Sequence, residues 1–342
     1  MSWLYEPESG PNDLDESDVR IRPNPKGNKP RTKIRPGHKN ATIGFVTGVD
    51  VGRYRIWLAN EGRSIDATLG KELRKQGVAV GDSVALTGDT SGQEGALALI
   101  VRVEPRSTLL RRSADDSDQV ERVIVANADQ MLIIVAIADP APRTRLIDRY
   151  LAAAFDAGLK PILCITKTDL ADPAEFLAHF AGLEIPVVLN RSDAPSLDQL
   201  NPLLANKITV IVGHSGVGKS TLVNALVPSA KRATGAVNAV TGRGRHTSSS
   251  ARALAISNGW IIDTPGVRSF GLGHVKPENL VKSFVDLYAV IETCPRGCTH
   301  LADSPDCALD EAIAAGELGE HGSLRVDSLR RLMKSASSAQ TE

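Results

Sequence analysis

A glycine-rich stretch in the second half of the chain constrains the fold more than any other feature. Residues 213–221 read GHSGVGKST, directly after the apolar run KITVIV, and they open the helix-forming run STLVNAL. This strand–turn–helix pattern is typical of a phosphate-binding loop (P-loop). Small residues let backbone N–H groups surround a phosphate, and the helix N-terminus favours negative charge. The alternative is a glycine-rich turn without a ligand.

The residue types within this P-loop predict individual roles. Lys219 is expected to bridge the β- and γ-phosphates, and the hydroxyl of Ser220 is expected to ligate Mg²⁺. The predicted nucleotide contacts are Gly213, His214, Ser215, Gly216, Val217, Gly218, Lys219, Ser220 and Thr221.

Two later segments carry residues suited to sensing a γ-phosphate. The run WIIDTPG ends with Asp263, whose carboxylate can hold the water shell of magnesium, and with Gly266, whose N–H can face the γ-phosphate. Before it lies TGRGRHTSSS, a composition also found in ordinary loops. Here Thr247 is predicted to reach the metal only while the γ-phosphate is present, as an order–disorder switch.

A second motif, ITKTDL, stands about forty residues before the P-loop and matches the guanine-reading motif of GTPases. The carboxylate of Asp169 can accept from both N1–H and the exocyclic amine of guanine, a pairing that adenine cannot offer. Asn is usual where Thr166 stands, and the Thr hydroxyl is the group expected to tie this loop to the P-loop. A second guanine loop is predicted at 190–194. The predicted base-side contacts are Thr166, Lys167, Thr168, Asp169 and Ser192.

The order of these motifs is a rotation of the usual order in G domains. The base motifs come first, and the P-loop, the switch segment and the Asp-Thr-Pro-Gly run follow. The sheet can be the same while the chain ends lie elsewhere. The sequence therefore predicts a circularly permuted GTPase domain, with strands that alternate with helices in a mostly parallel sheet covered on both faces.

Changes in residue composition and apolar periodicity along the chain predict five regions. Short β-branched runs separated by Gly, Asn and Asp favour a small barrel, either of the oligonucleotide-binding (OB) type or an SH3-like barrel. Tyr54 and Trp57 suit either base stacking or the barrel's core and rim. The predicted regions are a disordered tail at 1–39, an OB barrel at 40–105, the GTPase domain at 106–275, a helical zinc-binding domain at 276–335 and a disordered tail at 336–342.

Finer elements are predicted as well. Residues 106–120 are expected to be a polar linker, and 276–292 a single helix.

Three of the four cysteines lie within fourteen residues, beside a histidine. The ligand set Cys294, Cys298, His300 and Cys307 is the kind that tetrahedral structural zinc requires, and nearby Pro and Gly supply turns. A redox or catalytic cysteine site is the alternative. Because a segment of fourteen residues has little apolar core of its own, metal binding is expected to supply the free energy that folds it.

Charge and hydropathy exclude some classes of protein. The longest apolar run, MLIIVAIA, is too short to span a membrane, and the N-terminus lacks the pattern of a secretory signal. Lys and Arg balance Asp and Glu at 40 each, but residues 20–39 hold eight cations and no acid. That segment is either a solubilising tail or a ligand for a phosphate backbone. The chain is expected to be a cytoplasmic monomer.

The barrel, the permuted motifs and the Cys/His cluster together resemble the bacterial ribosome small-subunit-dependent GTPases, the RsgA or YjeQ family. The resemblance covers about residues 40–335. It implies an OB barrel that binds ribosomal RNA, GTP hydrolysis stimulated by the 30S subunit with its 16S rRNA, a late role in 30S maturation with release on hydrolysis, and a structural zinc. The long N-terminal tail and Thr166 depart from the family pattern.

The group that positions the attacking water is not at its usual place, because Val267 follows the Asp-Thr-Pro-Gly run. His246 matches a family position proposed for this role, and its pKa range suits the chemistry. An exposed loop histidine is the alternative, while Arg243 and Arg245 suit charge stabilisation or RNA contacts. A slow intrinsic rate with large stimulation by the partner follows.

Two other functions fit parts of the pattern. One is an RNA-binding module whose nucleotide is structural and never turns over. The other is a P-loop ATPase in which the match at 166–169 is a coincidence.

Overall fold

The first described residues of the chain form a closed barrel. The computed structural model describes residues 41–75, 77–113, 121–228, 251–264 and 275–341. The barrel strands are β1 (Thr42–Asp50), β2 (Arg53–Leu58), β3 (Arg63–Leu69), β4 (Ser83–Gly88) and β5 (Ala98–Val103). They pair in the order β1-β2-β3-β5-β4, and β4 returns to β1. A five-stranded barrel, as the residue pattern predicts, is confirmed.

Alternation along each strand explains why this segment closes. Ile56, Ala67 and Ile100 point inward and are fully buried, while their neighbours along the strands are partly or wholly exposed. A sheet that is apolar on one face buries that face by curling onto itself, which also removes its open edges.

The segment between the barrel and the GTPase region differs from the predicted polar linker. Strand β6 (Leu109–Ser113) pairs antiparallel with β7 (Glu121–Ala126). Leu110 within the predicted linker and Val125 in the following apolar run VIVA are fully buried, so the two strands form a packed hairpin. The guanidinium of Arg106 anchors its start with two 2.7 Å hydrogen bonds to the buried carboxylate of Asp82.

Among the described residues, six strands form the GTPase sheet. They are β8 (Gln130–Ala136), β9 (Lys160–Thr166), β10 (Val187–Leu189), β11 (Lys207–Gly213), β12 (Arg252–Ile256) and β13 (Gly259–Asp263). The order is β10-β9-β8-β11-β13-β12, and all neighbours are parallel except β12 and β13. The helices are α1 (Thr144–Asp156), α2 (Ala174–Ala178), α3 (Leu197–Leu204) and α4 (Lys219–Leu226).

Helices cover both faces of this sheet, which explains its uninterrupted apolar strands. All seven residues of β8 are buried. Ile133 belongs to the core beneath α1, and its neighbour Leu132 to the core beneath α3 and α4. A mostly parallel sheet buried on two sides is confirmed.

The barrel packs directly on one edge of the GTPase sheet. Strand β1 pairs with β12 at Gly48 and Arg252. The ring of Trp260 in β13 lies 5.1 Å from Phe45 and 5.8 Å from Trp57, measured between centroids. Trp57 therefore serves this packing, which favours the structural role over base stacking.

The C-terminal region is helical, with α5 (Pro277–Lys282), α6 (Val285–Ile291), α7 (Ala308–Ala315) and α8 (Gly322–Thr341). The single helix predicted over 276–292 is wrong, because Phe284 leaves the helical conformation and turns its ring into the core. The disordered tail predicted from residue 336 is also wrong in this structure, since α8 continues to Thr341 and Ala336 is fully buried.

The C-terminal helices share one apolar core with the GTPase region. Leu151 of α1, Leu280 of α5 and Leu329 of α8 belong to the same buried cluster. The other predicted domain boundaries stay predictions. Among the described residues, no helix combines the length and the apolar character needed to cross a bilayer.

Candidate functional site

The predicted P-loop connects the carboxyl end of β11 to the start of α4. Gly216 and Gly218 have φ angles of +83° and +89°, in the left-handed region where only glycine is unstrained. The loop therefore turns sharply enough to direct backbone N–H groups inward while α4 begins at Lys219. Its contacts with a nucleotide stay a prediction.

Lys219 and Asp263 meet at the centre of this edge. Because β11 runs parallel to β13 with Ile211 opposite Asp263, both side chains reach the same place. The ammonium of Lys219 lies 3.4 Å from the carboxylate of Asp263, which is 4% exposed. Next to it, the hydroxyl of Thr264 donates a 3.1 Å hydrogen bond to the carbonyl of Ile211. A buried carboxylate, a cation and the exposed hydroxyl of Ser220 suit a magnesium–phosphate group.

The base motif follows β9, two strands away at the same edge. The hydroxyl of Thr166 donates a 2.7 Å hydrogen bond to the carbonyl of Val217 in the P-loop, and the carbonyl of Val135 lies 3.3 Å away. The residue that replaces the usual Asn thus makes the link to the P-loop that the sequence predicts for it.

The carboxylate of Asp169 faces the second loop. Ser192 donates to it twice, from its backbone N–H at 2.6 Å and from its hydroxyl. These bonds, the hydroxyl first, lower the pKa of Asp169 and keep its carboxylate ionised as an acceptor. Lys167 donates to the carbonyl of Asp139, which sequence reasoning did not single out.

Asn190 begins the predicted second guanine loop, but no role was predicted for this residue itself. It follows β10, is 2% exposed, and its carbonyl accepts hydrogen bonds from the N–H and the hydroxyl of Thr168, both at 3.1 Å. A polar residue at the end of the apolar run IPVVLN was the available signal.

Three predicted site residues lie outside the described residues: Thr247, His246 and Gly266. The same holds for Val267 and for the alternatives Arg243 and Arg245.

The four predicted metal ligands come together in the turns between α6 and α7. One ligand atom from each of Cys294, Cys298, His300 and Cys307 lies within 4.8 Å of the others. The buried Nδ1 of His300 has no hydrogen-bond partner among the described residues, and a metal ion would satisfy it. Three sulfur atoms and one imidazole form a set that suits tetrahedral zinc.

Burial and neighbouring groups shift the pKa values of three of these ligands. Burial, with the cation of Arg330 second, lowers the pKa of His300 and favours its neutral, metal-binding form. Burial alone would raise the pKa of Cys298, but hydrogen bonds from Ser304 and from the His300 amide lower it. Burial raises the pKa of Cys294 to about 11. Arg330 also donates to the carbonyl of His300 at 3.0 Å and so holds that turn.

A polar groove lies on the barrel, between β2, β3 and the loop that precedes β5. The exposed guanidinium groups of Arg53 and Arg55 line it, and Arg55 pairs with Asp66 at 3.3 Å. In OB barrels, this face and these loops bind oligonucleotides.

Comparison with known proteins agrees with the permuted order of the motifs. Residues 103–273 match the family described as RsgA GTPase. The chain is 38% identical over 265 residues to the Small ribosomal subunit biogenesis GTPase RsgA 1 of Vibrio vulnificus, covering 75% of this chain and 73% of that protein. It is 33% identical over 294 residues to the RsgA protein of Chlorobaculum tepidum, covering 82% and 94%.

Two solved structures have a similar fold. One is YloQ, described as a circularly permuted GTPase, with a TM-score of 0.62, 25% identity, and coverage of 89% of this chain and 98% of that chain. The other is YjeQ from Thermotoga maritima, with a TM-score of 0.63, 26% identity, and coverage of 86% and 97%.

Proposed function

Since the chain belongs to the RsgA family of circularly permuted GTPases of small ribosomal subunit biogenesis, we propose that it binds GTP across the P-loop and the two base loops and hydrolyses it on the 30S subunit. The observation that carries this proposal is the hydrogen bond from Thr166 to Val217. It joins the loop that reads guanine to the loop that holds phosphate at one edge of the sheet.

Each side of the site has its own task. Asp169 accepts from the guanine edge, and Lys219 compensates charge that develops on the β- and γ-phosphates. Ser220, Asp263 and Thr247 would hold magnesium, which supplies further charge neutralisation at the phosphates when bound. We retain His246 as the group that positions the attacking water, with Arg243 and Arg245 as alternatives.

Phosphate release from GTP, measured with and without purified 30S subunits, tests the activity. We expect slow release alone and a large increase with 30S. Negligible release in both cases would favour an RNA-binding module with a structural nucleotide. Competition of labelled GDP by ADP tests the base, and equal competition would favour an ATPase.

We further propose that the barrel groove contacts 16S rRNA. Replacing Arg53 and Arg55 with Ala should weaken 30S retention and lower the salt dependence of binding by roughly one ion per cation removed. Arg102→Ala is a matched control, because this exposed barrel arginine pairs with Glu104 outside the groove. An equal effect of both changes would remove the groove from RNA binding.

The metal at the Cys/His cluster is proposed to be zinc in a structural role, because the set has four protein ligands and leaves no open position. The protein is further proposed to act late in 30S maturation, as a monomer in the cytoplasm.

Release of the 30S subunit is proposed to follow hydrolysis. A nucleotide can shift 30S binding only by the difference in its affinity for the bound and the free protein. Co-sedimentation with 30S at one salt concentration should give strong retention with a non-hydrolysable GTP analogue and weak retention with GDP. Equal retention would contradict the release step and leave the GTPase activity untouched.

A further inference from the structure

The side chain of Asn190 is buried where the two base loops meet. Its amide nitrogen Nδ2 donates to the sulfur of Cys164 in β9, at 2.9 Å. Its oxygen Oδ1 accepts from the backbone N–H of Ser196, at 2.5 Å. One carboxamide therefore spans from the sheet to the far end of the loop at 190–196 and closes that loop onto β9.

The backbone of Asn190 makes the complementary link to the base motif. Its N–H donates to the carbonyl of Ile165 at 2.7 Å, and its carbonyl accepts both bonds from Thr168. Asn190 is thus joined to the residues immediately before and within the motif at 166–169.

The loop that Asn190 closes holds the carboxylate of Asp169. Ser192 lies inside this loop and donates to both carboxylate oxygens. Ser192 and Asp169 are exposed, so water competes for their hydrogen bonds, whereas Asn190 is 2% exposed. A buried amide with hydrogen bonds at both its nitrogen and its oxygen can impose a geometry that exposed groups cannot maintain by themselves.

We propose that Asn190 is a positioning residue for guanine selection, which fixes the loop at 190–196 and through Ser192 the direction of the Asp169 carboxylate. The inference rests on the proposed function, in which Asp169 reads the base. Two oxygens can accept from N1–H and the exocyclic amine together only if the carboxylate keeps one orientation. Freeing the loop therefore lowers selectivity for the base and leaves the phosphate contacts in place.

The test compares dissociation constants of GDP, IDP and ADP for the full-length protein and its variants. IDP lacks the exocyclic amine of guanine. ADP lacks the guanine pair of donors, N1–H and the exocyclic amine next to it. In Asn190→Ala we expect the preference for GDP over ADP to fall about tenfold, because one buried hydrogen-bond acceptor of the loop is lost. The preference for GDP over IDP should shrink as well. Asn190→Asp keeps an oxygen that accepts from Ser196 and should retain most of the preference.

Gln130→Ala is the matched control. Gln130 is a second buried amide of the same sheet, and its Nε2 donates to the carbonyl of Leu203 and to the hydroxyl of Thr209, both at 2.9 Å. It lies at the opposite end of the parallel strands. We expect a loss of thermal stability comparable to that of Asn190→Ala, with unchanged base preference.

The outcomes distinguish a failure of the positioning role of Asn190 from a failure of the proposed guanine site. If the wild-type protein binds GDP and ADP equally, the proposed guanine site itself fails. If the wild type prefers GDP and Asn190→Ala keeps the full preference, or if Gln130→Ala loses it equally, the positioning role is overturned. Should Asn190→Ala not fold, Asn190→Ser serves in the same comparison, because its short hydroxyl cannot span from Cys164 to Ser196.

Discussion

The hydroxyl of Thr166 donates a 2.7 Å hydrogen bond to the carbonyl of Val217, 51 residues further along the chain. Thr166 ends β9, and Val217 lies in the turn before α4, so the bond crosses the carboxyl edge of the sheet. Both residues are buried, and water cannot replace the bond if it is lost. One side chain therefore joins the base motif directly to the P-loop.

Thr166→Val should weaken GDP binding about tenfold, because it keeps the shape of the side chain but leaves the carbonyl of Val217 without this donor. Thr166→Ser keeps the hydroxyl and is the control, with near wild-type affinity. Titration with a fluorescent GDP analogue measures both. Equal affinity of Thr166→Val and the wild type would contradict a role for this bond.

Lys219→Ala should reduce 30S-stimulated GTP hydrolysis by about two orders of magnitude or more, because it removes the cation expected at the β- and γ-phosphates. The sheet should stay folded, because Lys219 is not part of the apolar core clusters. Circular dichroism checks this. Lys160→Ala is the control, because this exposed lysine begins β9 at the opposite edge. Full activity of Lys219→Ala would remove the P-loop from the mechanism.

The wild-type protein should contain about one zinc ion per chain, and Cys298→Ser should lose most of it. Loss of the metal should loosen the turns between α6 and α7, because the remaining cysteine and histidine ligands then have no common partner. Elemental analysis and thermal unfolding measure the two effects. Cys164→Ala, outside the cluster, should keep the zinc. A wild-type protein without zinc would contradict the assignment before any variant is made.

A buried ion pair between α1 and α8 predicts a pH-dependent stability. The guanidinium of Arg331 lies 3.1 Å from the carboxylate of Asp148, whose side chain is 5% exposed. Burial raises the pKa of Asp148, and Arg331 offsets part of that rise. Arg331→Leu should therefore destabilise the protein by about 2 kcal/mol near neutral pH, a value reduced because Arg331 is itself one-third exposed.

The sign of the pH effect follows from the raised pKa. The native state holds the proton of Asp148 more tightly than the unfolded chain does, so stability falls as pH rises through the raised native pKa. Urea unfolding of Arg331→Leu should show a larger loss of stability than the wild type as the pH rises from the ordinary aspartate pKa of about 4 towards neutral. Adding Asp148→Asn should abolish the excess loss. The same pH dependence in the single and the double variant would rule out Asp148 as its source.

Residue types and their spacing along the chain are enough to predict the chemistry and the order of the parts. The P-loop, the base motif and the Cys/His cluster each lie within a window of fewer than twenty residues. Their meaning comes from residue types at fixed spacing, which the chain carries before it folds. The alternation of apolar strands and amphipathic helices likewise predicted the parallel sheet, and the rotated motif order predicted the permutation.

Which polar residues are buried, and which partners they bind, depends on how the elements pack. Asn190 meets Cys164 across 26 residues, and Arg331 meets Asp148 across 183 residues. Strand β6 was missed because the run at 106–120 is mostly polar, and the buried end of α8 was missed because the last residues of the chain are mostly polar. Burial of a polar side chain costs free energy unless packing brings it a hydrogen-bond partner. That partner lies on an element whose position no local sequence pattern specifies.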